Sequence, residues 1–112
     1  MRAPILDFTS GLRVYASRAA AERALAEGGV RALDAFDASG RPLRLVEGGR
    51  GWFGLGRKSG LRLDARPTDG DIRRALRVRL AEALVDQGAP RRWAEGAPLG
   101  ALVADASRRL GV

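Results

Sequence analysis

The chain has 112 residues, of which 20 are basic and 13 acidic, and it contains neither cysteine nor histidine. This length predicts a single domain spanning residues 1–112 with one core. The composition excludes disulfides, thiolate metal sites and catalysis by cysteine or histidine, so we expect a binding protein without catalytic residues, metal or cofactor.

The formal net charge is +7, and every basic residue except Lys58 is arginine. This bias has two interpretations: a GC-rich genome, or recruitment of phosphate or carboxylate groups, which guanidinium groups bind in pairs of hydrogen bonds. Residues 1–8 lack the apolar centre of a signal peptide, and no run approaches the roughly 18 apolar residues of a membrane span. We therefore expect a cytoplasmic protein without membrane contact.

The first third of the chain predicts a hairpin and a helix. Residues 5–8 and 12–16 are β-prone and flank a Thr-Ser-Gly turn sequence, which favours a tight hairpin. Ser17 is a suitable N-cap for an alanine-rich helix over residues 18–27, and Gly28 ends that helix.

The middle of the chain predicts three more strands. Residues 30–37 and 43–47 are separated by a turn at 38–42, and a glycine-rich segment follows at 48–60. Residues 61–65 alternate apolar and charged side chains, as in a half-buried strand with a charged outer face.

The last third predicts two helices. Thr68 and Asp71 have the spacing of a capping box, and apolar residues then recur every four positions until Gly88. A loop over 89–97 precedes a final helix that begins at Pro98. The order of elements predicts an α+β domain in which helices pack on one face of a mostly antiparallel sheet.

The glycines of the middle segment partly match two phosphate-binding motifs. Gly49, Gly51 and Gly54 have the spacing of a dinucleotide fingerprint, and residues 51–59 resemble a phosphate loop with one residue too many. Both motifs need a helix after the loop, whereas a strand follows here. We therefore expect no nucleotide cofactor.

Cations and aromatic residues share the same glycine-rich segment. These residues are Arg50, Trp52, Phe53, Arg57 and Lys58. Aromatic rings stack on bases and cations meet phosphates, so the segment is a candidate contact for single-stranded RNA. Alternatively, the aromatic rings fold inward onto the sheet, which the small number of aromatic residues in the chain favours.

Three further arginines are candidates for binding an acidic partner. Arg62 lies on the charged face of its strand, and Arg73 and Arg77 are four residues apart on one helix, where like charges repel. An acidic partner would relieve this repulsion, although nearby acids such as Asp71 could do the same. Residues 91–93, Arg-Arg-Trp, form another basic and aromatic sequence.

Part of the chain resembles a known RNA-associated module. Residues 17–65 combine a predicted helix, strands and the turn sequence Gly-Trp-Phe-Gly-Leu-Gly at 51–56. This order is similar to the Jag N-terminal domain of bacterial RNA-associated proteins, in which a Gly-aromatic turn of this kind joins two strands. The resemblance implies contact with RNA.

A broader resemblance leads to the main functional hypothesis. Residues 12–25 and 35–45, with the arginine-rich helix after Pro67, resemble small uncharacterised bacterial proteins of the immunity type, which implies a stoichiometric protein-binding role. We therefore expect a non-catalytic bacterial binding protein of accessory or immunity type that engages an acidic protein. The alternative is a single-stranded RNA-binding module that uses Trp52 and Phe53, and the sequence gives no indication of oligomeric state.

Overall fold

The computed structural model describes residues 4–28, 33–47 and 61–110. They form one sheet with the strand order β2-β1-β3-β4-β5, in which all neighbours are antiparallel. The elements in chain order are β1 (Ile5–Asp7), β2 (Arg13–Tyr15), α1 (Arg18–Gly28), β3 (Ala35–Asp37), β4 (Pro42–Glu47), β5 (Leu61–Ala65), α2 (Gly70–Asp86), α3 (Arg91–Gly96) and α4 (Leu99–Arg109). The predicted α+β class with an antiparallel sheet is confirmed.

Helices lie on both faces of this sheet. Successive residues of a strand point to opposite faces, and the consecutive apolar residues Ile5 and Leu6 of β1 are both buried. Ile5 packs with α1 residues Ala21 and Leu25, whereas Leu6 packs with apolar residues of α2 and α4. The expectation of helices on one face therefore holds for α2, α3 and α4 and is wrong for α1.

The two apolar clusters divide the sheet unequally. Under α1, the buried cluster takes strand residues from β1, β3, β4 and β5: Ile5, Ala35, Leu43 and Leu63. On the opposite face, the cluster that contains the leucines of α2 takes its strand residues only from the first three strands in chain order: Leu6 and Val14, with Phe36 partly buried. The half of that face formed by β4 and β5 therefore contributes none of the described residues to the core.

Helix caps explain where α1 and α2 begin. The Ser17 hydroxyl accepts a hydrogen bond from the backbone of Ala20 at 3.1 Å, as predicted for an N-cap. For α2, the N-cap is Asp69, whose carboxylate accepts from the backbone N–H of Ile72 at 2.8 Å. The predicted capping box of Thr68 and Asp71 is wrong, because Asp69, one residue after Thr68, takes the N-cap position and binds the N–H of Ile72.

The segment predicted as a loop over 89–97 contains α3. Pro90 precedes this helix with φ of −65°, the value at which its ring holds the backbone, and its carbonyl accepts from the N–H of Ala94. Ala94 is fully buried. A helix of six residues is too short for a hydrophobic period to reveal.

The turn between β3 and β4 depends on Asp37 and Gly40. The buried Asp37 carboxylate accepts hydrogen bonds from the backbone N–H groups of Ser39 and Arg41. Burial raises the pKa of Asp37, but these bonds, together with those from the Ser39 hydroxyl and the Arg41 guanidinium, outweigh burial and lower the pKa below its ordinary value. Gly40 has a φ of +91°, in the left-handed region that favours glycine.

Candidate partner-binding surface

Most helix arginines in the described residues already have a partner within the molecule. Arg77 donates to the backbone carbonyls of Glu95 at 3.2 Å and Ala97 at 3.1 Å, and so connects α2 to the end of α3. Arg74 pairs with Asp71 at 2.7 Å. The arginines in ion pairs are Arg41, Arg74, Arg79, Arg91, Arg108 and Arg109.

Arg79 attaches α2 to the end of the sheet. Its guanidinium donates two hydrogen bonds to the Asp34 carboxylate, at 3.0 and 2.6 Å, and lies 4.4 Å from the ring centroid of Phe8. Phe8 in turn meets Phe36 edge to face. The hydrogen bond from Arg79 lowers the pKa of Asp34 against the opposing effect of burial. These contacts leave the Arg79 guanidinium engaged within the molecule.

The arginines of β4 and β5 are arranged differently. Arg44 lies directly across from Asp64, and Val46 directly across from Arg62. Cross-strand partners share a face, and the alternate residues Leu43 and Leu63 are buried beneath α1. Arg44, Val46, Arg62 and Asp64 therefore point to the half of the sheet that none of the described helices covers.

Arg66 extends this row beyond the end of β5. Its backbone N–H donates to the carbonyl of Pro42 at 2.8 Å, which continues the strand pairing by one residue. It lies two residues after Asp64, so the alternation of β5 places it on the same side. Arg44, Arg62 and Arg66 are all exposed. We call these three residues the basic strand surface.

No acid within the described ranges forms an ion pair with any arginine of the basic strand surface. Asp64 lies between Arg62 and Arg66 on one strand and opposite Arg44 on the other. Pro42 and Val46, both partly exposed, flank Arg44 at alternate positions of β4. On this pair of strands, cations thus lie beside two small apolar patches.

Arg73 borders this surface at the turn end of the sheet. A Cβ on Gly40 would lie 2.7 Å from Cγ of Arg73 and 3.5 Å from Leu99, so the stem of Arg73 lies directly on the β3–β4 turn. The Arg73 side chain is exposed and, within the described part of the chain, makes no ion pair. Its position next to the start of β4 adds a fourth cation beside the basic strand surface.

The predicted site residues therefore separate into three groups. Arg62 and Arg73 lie on or beside the basic strand surface, whereas Arg77 is engaged between α2 and α3. The predicted loop contacts Arg50, Trp52, Phe53, Arg57 and Lys58 lie outside the described residues. Nothing in the structure tests their role, so it stays a prediction.

Two members of the surface, Arg44 and Arg66, were absent from the predicted site. The alternation of residues 61–65 already indicated the charged face to which Arg66 belongs. Arg44 could be placed there only through the pairing register that sets it opposite Asp64. In the predicted loop at 89–97, Arg91 pairs with Glu82 and Glu95, while the side chain of Trp93 is exposed.

Three carboxylates of the described residues are buried, and each has a local structural partner. Asp7 accepts from the backbone of Thr9, Asp37 stabilises the β3–β4 turn, and Asp105 accepts from Arg108 and Arg109. These bonds satisfy the buried carboxylates within the molecule. Across residues 4–28, 33–47 and 61–110, no cluster of acidic side chains could hold a metal ion.

In the same ranges, none of the helices combines the length and the apolar character that crossing a membrane requires. Comparisons with protein-family models, curated proteins and solved structures find no significant match to this chain. The resemblances to the Jag N-terminal domain and to immunity-type proteins accordingly remain predictions. The geometry of the basic strand surface is therefore the main guide to function.

Proposed function

We propose that this chain is a non-catalytic bacterial binding protein of accessory or immunity type, active in the cytoplasm, which holds an acidic protein on its basic strand surface. One observation carries the proposal. Arg44, Arg62 and Arg66 are exposed together on the half of the sheet that none of the described helices covers, and no acid among the described residues forms an ion pair with them. The helix arginines, by contrast, mostly bind within the molecule.

The chemistry of this surface suits carboxylates displayed by a protein. A guanidinium group donates two parallel hydrogen bonds to a carboxylate, and a strand holds its side chains in a fixed direction. Val46 and Pro42 offer apolar contact between the cations. Complementary charge of this kind mainly gives specificity and fast association, while nearby apolar contact adds affinity.

The alternative is the single-stranded RNA-binding module with Trp52 and Phe53 as stacking residues. Sheets that bind RNA present aromatic side chains to stack on the bases. The strand positions on this face hold Pro42, Arg44, Val46, Arg62, Asp64 and Arg66, so they offer no aromatic ring for a base to stack on. These features favour an acidic protein over RNA as the partner of this surface.

A pull-down with charge-matched variants tests the proposal. The surface variant carries Arg44→Ser, Arg62→Ser and Arg66→Ser, and the control carries Arg13→Ser, Arg18→Ser and Arg23→Ser, which are exposed on β2 and α1. Both variants lose the same charge. From nuclease-treated lysate, the wild type and the control should retain one stoichiometric acidic protein, and the surface variant should lose at least about tenfold in recovery.

Two results would count against the proposal. Equal recovery of the acidic protein by the surface variant and the control would mean that only net charge matters. Recovery of nucleic acid alone from untreated lysate, with no stoichiometric protein, would favour the RNA-binding alternative.

A further inference from the structure

At one edge of the sheet, a backbone N–H donates a hydrogen bond to a helix side chain instead of to another strand. β5 is the last of the described strands in the sheet, and the backbone N–H of Leu63 donates to the Oε2 atom of Glu22 at 2.8 Å. Glu22 belongs to α1, 41 positions away in the sequence. A side-chain carboxylate thus occupies a backbone donor at the outer edge of β5.

The direction of this bond follows from the strand pairing. Along an antiparallel strand, backbone N–H groups point alternately toward and away from the neighbouring strand. Arg66 donates inward to Pro42 of β4, so Leu63, three residues earlier, donates outward. The Leu63 N–H would therefore be available to an additional strand if Glu22 released it.

Exposed strand edges are templates for pairing with another chain, and proteins commonly block them with charged side chains. Peptides that bind by adding a strand gain main-chain hydrogen bonds, and alternate side chains supply the specificity. The edge of β5 adjoins the basic strand surface, because Arg62 and Arg66 belong to the β5 segment itself. Edge and surface therefore form one continuous binding region.

We propose that the acidic partner binds through an extended segment that adds a strand to the edge of β5, and that Glu22 occupies this edge until the segment displaces it. This inference rests on the proposed function and names the form of the partner. A strand paired with β5 places every second side chain on the same face as Arg62 and Arg66. Acidic residues opposite Arg62 and Arg66 would meet both arginines, and the position between them faces Asp64.

A second copy of this chain is a less favourable occupant. Two chains of net charge +7 repel each other at long range. Antiparallel pairing of two β5 strands centred on Asp64 would also set each Arg62 against an Arg66 of the other copy. An extended acidic segment meets neither penalty.

The test uses two peptides of equal composition, about eight residues long, as is ordinary for a strand. In the alternating peptide, Glu and Thr alternate along the sequence. In the block peptide, all glutamates precede all threonines. Only the alternating peptide presents all its carboxylates on one face when extended. Binding is measured by fluorescence anisotropy to the wild type, to Glu22→Ala and to Glu27→Ala, a substitution in α1 that removes the same charge from an exposed side chain.

Glu22→Ala should bind the alternating peptide about threefold to tenfold more tightly than wild type. In this variant the Glu22 carboxylate no longer competes with the peptide for the backbone N–H of Leu63. Glu27→Ala should bind like wild type, and the block peptide should bind more weakly to every form. Glu22→Gln, which keeps a weaker acceptor, should give a smaller increase in the same direction. Hydrogen exchange of the Leu63 amide should be faster in Glu22→Ala and slow again with the alternating peptide.

The contrary outcomes separate the two proposals. Equal binding of both peptides, or equal gains for Glu22→Ala and Glu27→Ala, would overturn strand addition and leave binding of acidic proteins in place. If Glu22→Ala forms a dimer in sedimentation analysis without peptide, a second copy of the chain is the occupant of the edge. That result would also overturn strand addition by an acidic partner. If no form binds either acidic peptide while the wild type retains an acidic protein from lysate, strand addition fails alone. If neither acidic peptide nor acidic protein binds, both proposals fail.

Discussion

Nη1 of Arg77 lies 3.1 Å from the carbonyl oxygen of Ala97, the residue that follows the last turn of α3. The last carbonyls of a helix have no hydrogen-bond partner within the helix. A cation placed there donates to them and interacts favourably with the negative end of the helix dipole. The carbonyls at the end of α3 thus reduce the repulsion expected between Arg73 and Arg77 by binding the Arg77 guanidinium.

Replacing Arg77 should therefore weaken the fold. Arg77→Ala removes two hydrogen bonds to carbonyls and should lower the free energy of unfolding by about 1–2 kcal/mol. Arg74→Ala, in the same helix, removes only an exposed pair with Asp71 and should cost less than about 0.5 kcal/mol. Urea denaturation measures both values. A larger loss for Arg74→Ala than for Arg77→Ala would show that the bonds to α3 contribute little.

Replacing glycine by alanine should have opposite effects on stability at Gly40 and at Gly100. Gly40→Ala places a side chain at a φ of +91° and 2.7 Å from Cγ of Arg73, and it should destabilise the protein by about 1–2 kcal/mol. Gly100 lies in α4, where a Cβ would meet no atom within 4 Å, so Gly100→Ala should stabilise the protein by up to about 1 kcal/mol. Thermal unfolding followed by circular dichroism compares them, and a destabilised Gly100→Ala would contradict the open surroundings of this helix position.

Acid should destabilise the protein partly through Asp37. Because the pKa of Asp37 is lowered on folding, the folded state binds protons less readily than the unfolded state. The associated stability is complete above the ordinary aspartate pKa of about 3.9 and is lost as the pH falls through the folded pKa. Asp37→Asn should lower the free energy of unfolding by about 1–2 kcal/mol at neutral pH, because the neutral amide binds Arg41 more weakly.

Between about pH 5 and pH 2, Asp37→Asn should then lose less stability than the wild type does. Urea denaturation at several pH values gives both curves. Asp34, whose pKa Arg79 lowers, adds to the acid sensitivity of both proteins and so cancels in the comparison. Parallel curves for the two proteins would mean that Asp37 has the same pKa folded and unfolded.

Much of the architecture could be predicted where local chemistry decides it. Ser17 capped α1 as expected, the alternation of residues 61–65 identified β5, and Gly88, with a φ of +104°, follows the end of α2. These signals act over a few residues and do not depend on distant contacts. The helix α3 was missed because its stability comes from Arg77 and the buried Ala94, which are tertiary contacts.

The site was harder to predict than the fold. Whether an arginine is engaged depends on which acid or carbonyl the fold brings near it, and the partners of Arg77 and Arg79 lie 20 and 45 residues away in the sequence. Arg44 joined the surface only through its register with Asp64. Glu22 gave no sequence signal, because its contact with Leu63 depends on how α1 lies over the edge of the sheet.

The central claim is that the exposed arginines of β4 and β5 bind carboxylates, and chemical-shift mapping tests it most directly. Isotope-labelled protein is titrated with poly-glutamate at low and high salt. We predict that the largest shifts fall on Arg44, Arg62, Arg66 and their strand neighbours, and that they weaken as salt screens the charges. Shifts spread evenly over all exposed arginines, or confined to α1 and β2, would contradict the claim.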